Sequence, residues 1–282
     1  MVRRPKKRCV KTRCVIDATM STFVPHKWSK DQKVDLVLPA HNESKNIESV
    51  LREFYEICAI QNEIDIHFII SEDGSTDNTA ETIRLLAREL PITLIHTDFR
   101  KGYSRAVVDG LRGSKAPFVA ACDSDGQYDP NDLLLLLRSC QEANYVIGYR
   151  NPRADNLTRK IMSALFRVAY SLFHAGRYKD PSCPFVVFSR PALQLMILDN
   201  ARVPFMPQGL WWEMSARARA LNIQTIEVPV NHRKRADGES VVYRPRKIPR
   251  IVVDNLFGLW LVKGDVEFQN QTRNHFEEKL KH

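Results

Sequence analysis

Between residues 34 and 147 short β-rich runs alternate with longer stretches in which apolar residues recur at helical spacing. The runs are Val34–Leu38, Ile64–Ser71, Ile92–His96, Phe118–Cys122 and Tyr145–Ile147; the stretches between them are Ser44–Ile60, Asp77–Leu90, Gly102–Ser114 and Pro130–Glu142. Strands separated by helices imply βαβ units and an open α/β fold, a mixed, mainly parallel central sheet flanked by helices. In such a sheet ligands bind beyond the carboxyl ends of the strands. The polar corners that follow the runs are therefore where function is expected.

Three corners stand out. Pro39-Ala40-His41-Asn42-Glu43-Ser44 follows the first run, and Asn42 or Ser44 there suits a helix N-cap. Ser71-Glu72-Asp73-Gly74-Ser75-Thr76-Asp77 holds more acids and hydroxyls than a turn with a cap at Asp77 requires. Cys122-Asp123-Ser124-Asp125-Gly126-Gln127 follows the apolar run Phe118-Val119-Ala120-Ala121. Two carboxylates one residue apart at a strand end repel unless a cation separates them. Magnesium or manganese commonly takes one or two carboxylates plus substrate phosphates, so Asp123, Asp125 and the amide oxygen of Gln127 form a candidate Mg2+ or Mn2+ site.

The formal charge of +9 and pI near 9.3 point to an anionic partner: a nucleotide, a lipid phosphate, a membrane surface or a nucleic acid. Nucleic acid is set aside, because the positive charges cluster at 1–13 and 231–250 without a recognisable binding motif or interleaved aromatics. The six cysteines are scattered, which fits free thiols in a reducing compartment. Seven positive charges in the first thirteen residues resemble the front of a signal peptide, yet no apolar segment follows before Asp17, so secretion is not expected. The longest apolar runs, such as Leu133–Leu137 and Leu259–Val262, fall far short of the ~20 residues that span a bilayer.

In order along the chain, Val37–Glu43, Glu72–Asp77 and Asp123–Gln127 resemble the nucleotide-sugar-binding half of family 2 glycosyltransferases with the GT-A fold, most closely the dolichol-phosphate mannose synthase and polyprenyl-phosphate glycosyltransferase branch. The resemblance runs from about Val34 to Gly258. It implies an inverting transferase moving a hexose from a nucleoside diphosphate sugar of the GDP-mannose or UDP-glucose type to a polyprenyl phosphate. Pro39, His41, Glu43, Asp73, Asp123 and Ser124 would bind the nucleotide sugar, with Asp123, Asp125 and Gln127 at the metal.

In the second half Gly148-Tyr149-Arg150, Arg159 and Asp180-Pro181-Ser182-Cys183-Pro184-Phe185 resemble the acceptor side of the branch. By the resemblance Arg150, Arg159 and Arg235 meet the acceptor phosphate, with Arg233 competing for the role of Arg235. Glu213 stands where other inverting members place a general base. The branch pattern R-x-x-G-x-S-K is broken at Val241, where lysine is expected. If the acceptor were instead a soluble saccharide hydroxyl, Glu213 would become an essential base.

In the helical stretch 156–173, Leu157, Ile161, Leu165, Val168 and Leu172 form an apolar stripe, while Arg159, Ser163 and Arg167 share a different face. Near the C-terminus Ile248, Ile251, Val252, Leu256, Leu259 and Trp260 lie at helical spacing behind Arg244, Arg246, Lys247 and Arg250, as in an interfacial helix; a helix packed on the domain fits equally. The expected organisation is a flexible basic extension over 1–30, a GT-A domain over 31–243, and a basic amphipathic helix and tail over 244–282. The expected location is peripheral, at the cytoplasmic face of a membrane, with room for a membrane-protein partner.

Overall fold

Strand β1 (Lys33–Ala40) is buried along all but its first residue, and β4 (Phe118–Ala121) along its whole length. Burial on both faces is why these runs are almost continuously apolar rather than alternating. In the computed structural model, which describes residues 32–60, 64–153, 157–174, 178–198, 206–207, 209–234 and 252–265, they lie at the middle of one sheet. Its other strands are β2 (Asp65–Asp73), β3 (Ile92–Thr97), β5 (Tyr145–Arg153), β6 (Val186–Ser189) and β7 (Thr225–His232), in the order β3-β2-β1-β4-β6-β5-β7. Only β6 runs antiparallel to its neighbours. The sheet is thus mixed and mainly parallel, as expected.

Helices α1 (Ile47–Phe54), α2 (Thr79–Leu86), α3 (Tyr103–Gly113) and α4 (Pro130–Ser139) make the crossovers. Gly110 lets α3 lie against the sheet: a Cβ there would come 2.4 Å from Val37 Cγ1. The first helix starts later than its apolar spacing suggests. Asn46 is its N-cap residue, and the expected caps do other work: Asn42, at φ 57°, accepts from the Thr76 amide, and the Ser44 amide donates to Asp77. Beyond Phe54 the helix widens into a π-helical segment, Tyr55–Ile60.

After β5 come α5 (Leu157–Phe173), α6 (Arg190–Leu193) with a π-helical continuation over Gln194–Leu198, α7 (Leu210–Ala220) and α8, over 252–265. On α5 the C-terminal part of the stripe faces outward: Leu165, Val168 and Leu172 are 60%, 62% and 78% exposed. The inward face is aromatic instead, with Phe166 6.0 Å from the Trp212 ring and Tyr170 6.0 Å from that of Tyr178. Helix α8 packs on the same tryptophan through Asn255, which accepts from Trp212 Nε1 at 3.2 Å, and buries Leu259 and Val262. Val253, Phe257 and Trp260 point outward. Among the described residues no helix is long and apolar enough to cross a membrane, and Cys58, Cys122, Cys140 and Cys183 are free and buried. The basic stretches over 1–30 and 235–251 lie outside the described residues.

Candidate active site

The parallel strands bring the three polar corners to one edge. Ala40 pairs with Glu72, Asp73 with Thr97, and the chain leaving β4 stays on β1 through the Cys122 amide, which donates to Val37 O at 3.2 Å. The first two corners are laced together: the Asn42 amide donates to Ser75 Oγ at 3.0 Å and the Glu43 amide to Thr79 Oγ1 at 2.9 Å. Ser124 ties the third corner to the first by donating to Pro39 O at 2.7 Å.

The expected donor-site acids differ in how they are held. Asp73 is buried, and its two oxygens accept from the Lys101 and Gly102 amides at 2.6 and 2.8 Å. It therefore shapes the loop that enters α3. His41 lies beside it, Nδ1 2.9 Å from Asp73 O, and Glu43 Oε2 accepts from Asn46 Nδ2 at 2.8 Å. Glu72, the neighbour of Asp73 in the same corner, is also buried. Desolvation pushes its carboxyl up, but hydrogen bonds from Ser75 and His96 outweigh this and hold it below its ordinary value.

Asp123 and Asp125 are half-buried on the loop after β4, with Gly126 at φ 74° turning the chain behind them. Asp125 Oδ1 accepts from the Gln127 amide at 3.2 Å, and Gln127 Nε2 donates to Arg233 O at 2.9 Å. Among the described residues no three His, Cys, Asp or Glu side chains stand grouped as a metal cage. Two carboxylates on one loop are instead the donor set that Mg2+ or Mn2+ shares with phosphate oxygens, so this corner fits such a cation.

Across the sheet Arg150, on β5 just before its register shift against β7, holds Asp180 in a two-pronged pair, Nε to Oδ2 at 2.7 Å and Nη2 to Oδ1 at 2.9 Å. Asp180 and its neighbour Lys179 are held in turn by Glu227, which accepts from both backbone amides. Arg159 lies in the first turn of α5, and Arg235 lies outside the described residues. Its competitor Arg233 pairs with Glu53 at 2.8 Å and Asp129 at 3.0 Å.

Glu213 sits in the first turn of α7 with no exposed surface. Its Oε1 accepts from Arg217 Nε and Nη2 at 2.9 and 2.7 Å, and its Oε2 from the Met206 amide at 2.7 Å. Burial pushes the carboxyl above its ordinary value, against the pull of Arg217. Every hydrogen bond just described serves the packing of α7 and the 206 segment.

The profile of the family described as glycosyl transferase family 2 matches residues 35–200. The chain belongs to that family. Among the similar curated proteins, the undecaprenyl-phosphate 4-deoxy-4-formamido-L-arabinose transferase of Pseudomonas fluorescens is 25% identical over 224 residues, covering 78% of this chain and 63% of that protein. The protein of the same name from Proteus mirabilis is 26% identical, covering 78% and 64%. This family 2 chain thus spans somewhat under two thirds of the length of those relatives. Among solved structures it is similar to glucosyl-3-phosphoglycerate synthase from Mycobacterium tuberculosis in complex with Mn2+, UDP-glucose and phosphoglyceric acid, with a TM-score of 0.61, 18% identity and 87% of each chain covered. The fold is the GT-A fold that the sequence motifs implied.

The structure adds residues that the motifs did not supply. Tyr103, the first residue of α3, donates to Asp123 Oδ1 at 2.6 Å and accepts from Trp211 Nε1 at 2.8 Å. A tyrosine opening an amphipathic helix carries no signal of such a contact. Asp180 was visible in the acceptor-side motif, but its pairing with Arg150 links β5 to a loop thirty residues on.

Proposed function

We propose that this chain is an inverting glycosyltransferase that moves a sugar from a nucleoside diphosphate sugar to a polyprenyl phosphate. The observation that carries the reading is the corner holding Asp123 and Asp125, set beside the laced Asn42–Ser44 and Ser75–Thr79 loops at the carboxyl edge of a GT-A sheet. The names of the curated relatives support the lipid phosphate acceptor. The donor is taken to be a hexose of the GDP-mannose or UDP-glucose type, bound along Pro39, His41, Glu43, Asp73, Asp123 and Ser124.

Asp123 and Asp125, with Gln127 beside them, would hold a divalent cation whose chemistry is to neutralise charge on the departing diphosphate; the Mn2+ in the similar solved structures supports this. Arg150, fixed by Asp180, and Arg159 at the start of α5 would orient the acceptor phosphate, and Arg235 is assigned with them. A phosphate oxygen is already anionic and needs little deprotonation before it attacks the anomeric carbon. The reaction then requires no general base, which agrees with the enclosure of Glu213. It disfavours a saccharide hydroxyl as acceptor, for which Glu213 would have to receive a proton.

A long-chain lipid phosphate is met at a bilayer. The outward Leu165, Val168 and Leu172 of α5 and Val253, Phe257 and Trp260 of α8, on two helices that both pack against Trp212, support peripheral contact with a membrane surface. Basic residues of the 244–250 stretch would add about 1 kcal/mol each at an anionic leaflet.

The test is transfer of radiolabel to polyprenyl phosphate from GDP-mannose, UDP-glucose and a nucleotide-activated 4-deoxy-4-formamido-L-arabinose, each assayed separately and scored by partition into organic solvent. Label entering the organic phase from one donor supports the lipid acceptor; label from the arabinose donor alone would overturn the hexose donor. Turnover only with a soluble saccharide would overturn the acceptor.

A further inference from the structure

Three side chains from three elements form a directed polar chain at the carboxyl edge. Trp211, in the first turn of α7, donates its indole N–H to Tyr103 Oη at 2.8 Å, and Tyr103 Oη donates to Asp123 Oδ1 at 2.6 Å. The direction is fixed by chemistry. An indole nitrogen can only donate, so the phenol must accept from it, and the single phenolic proton is left for the carboxylate. A separation of 2.6 Å is in the range of charge-assisted O–H···O− bonds.

The tyrosine is held from both sides. Asp73 binds the Lys101 and Gly102 amides immediately before it, and Trp211, only 5% exposed, is set in the core. Asp123, by contrast, lies on a loop with a second carboxylate close by, and repulsion from Asp125 would tend to turn it away. A fixed donor on one oxygen opposes that rotation. Outer partners of this kind orient metal-binding carboxylates, and their loss commonly costs about 10- to 100-fold in metal affinity.

We infer that Tyr103 is a positioning residue that aims Asp123 at the divalent cation, with Trp211 fixing the direction of its hydroxyl. The inference rests on the assignment of Asp123 and Asp125 as cation ligands. It gives α7 a share in the donor site, since Trp211 lies two residues from Glu213 on that helix.

The test needs no turnover. Mn2+ is titrated into the full chain with UDP present, and separately with GDP, while free Mn2+ is followed by electron paramagnetic resonance. Tyr103→Phe keeps a ring that is 38% exposed and removes only the hydroxyl; it should remain folded by circular dichroism and bind Mn2+ roughly 10- to 100-fold more weakly. Trp211→Phe, which leaves the hydroxyl but frees its direction, should shift the affinity the same way by less. In turnover the Tyr103→Phe defect should diminish as Mn2+ is raised, a recovery that a purely structural lesion would not show. Wild-type Mn2+ affinity in Tyr103→Phe, or in Trp211→Phe should the first variant not fold, overturns the inference while leaving the cation assignment standing. Failure of the wild-type chain itself to bind Mn2+ would remove both.

Discussion

Replacing Glu213 with glutamine separates a reacting base from a buried structural ion. The substitution keeps size and shape, so the packing of α7 is nearly unchanged, but three donors converge on the two oxygens of Glu213: Arg217 Nε and Nη2 and the Met206 amide. A glutamine amide must turn its NH2 toward one of them, setting donor against donor, and it removes the charge facing a guanidinium that is 2% exposed. Breaking one partner of a buried pair costs roughly 3–5 kcal/mol. Asp265 also holds Arg217, at 2.8 Å, so the lower end applies, about 3 kcal/mol. At about 2–4 °C per kcal/mol for a domain of this size, the thermal midpoint should fall by roughly 6–12 °C. The assay is thermal unfolding of Glu213→Gln and Arg217→Met singly and together, alongside transfer to polyprenyl phosphate at a temperature where each remains folded. The two singles should be non-additive, as expected of residues in one network. An unchanged midpoint combined with a steep loss of turnover would mean that Glu213 acts as a base and not as a structural ion.

Three further outcomes follow from the geometry. Burial depresses the His174 imidazole from 6.5 to about 4; above pH 6.5 it is neutral in both folded and unfolded chains, and as pH falls from 6.5 towards 4 only the unfolded chain gains the proton. Stability should therefore drop across that window by at most about 3 kcal/mol, and denaturant titrations should show the slope reduced in His174→Phe. Gly110→Ala should destabilise by about 1–3 kcal/mol in urea, because its Cβ would meet Val37 Cγ1 at 2.4 Å; wild-type stability would mean that α3 does not approach β1 as described. Paired Val168→Glu and Trp260→Glu substitutions, at side chains 62% and 60% exposed, should leave the thermal midpoint nearly unchanged and weaken co-sedimentation with anionic vesicles; undiminished binding would exclude these helices as the contact face.

Much of the sheet was legible because burial writes itself into sequence. β1 and β4 are enclosed on both faces and read as nearly continuous apolar runs, interrupted in β1 by Asp35, and their spacing from the helices between them permits little but a parallel sheet. β6 was not legible: four residues leading directly into α6 are too short for any period to show. Corner positions were legible for the same reason as the strands, since a corner is fixed once its strand is. The partners of the corner residues were not. Asp73 spends both oxygens on the α3 entry, and Arg150 and Asp180 are matched across thirty residues. On α5 the period correctly gave a helix, but aliphatic residues drew attention to Leu165, Val168 and Leu172 when the buried face is Phe166, Ala169, Tyr170 and Phe173. Periodicity identifies two unlike faces of a helix; only the neighbours decide which one turns inward.

The proposed reaction depends on the corner formed by Asp123 and Asp125. The most direct measurement compares wild-type and Asp125→Ala chains for label transfer to polyprenyl phosphate, with Mn2+ or Mg2+ and then with chelator, at matched folded fractions. Transfer by the wild type should be chelator-sensitive, and Asp125→Ala should lose at least about 100-fold, the scale expected when a group that stabilises the departing charge is removed. Full metal-dependent transfer by Asp125→Ala would contradict that dependence.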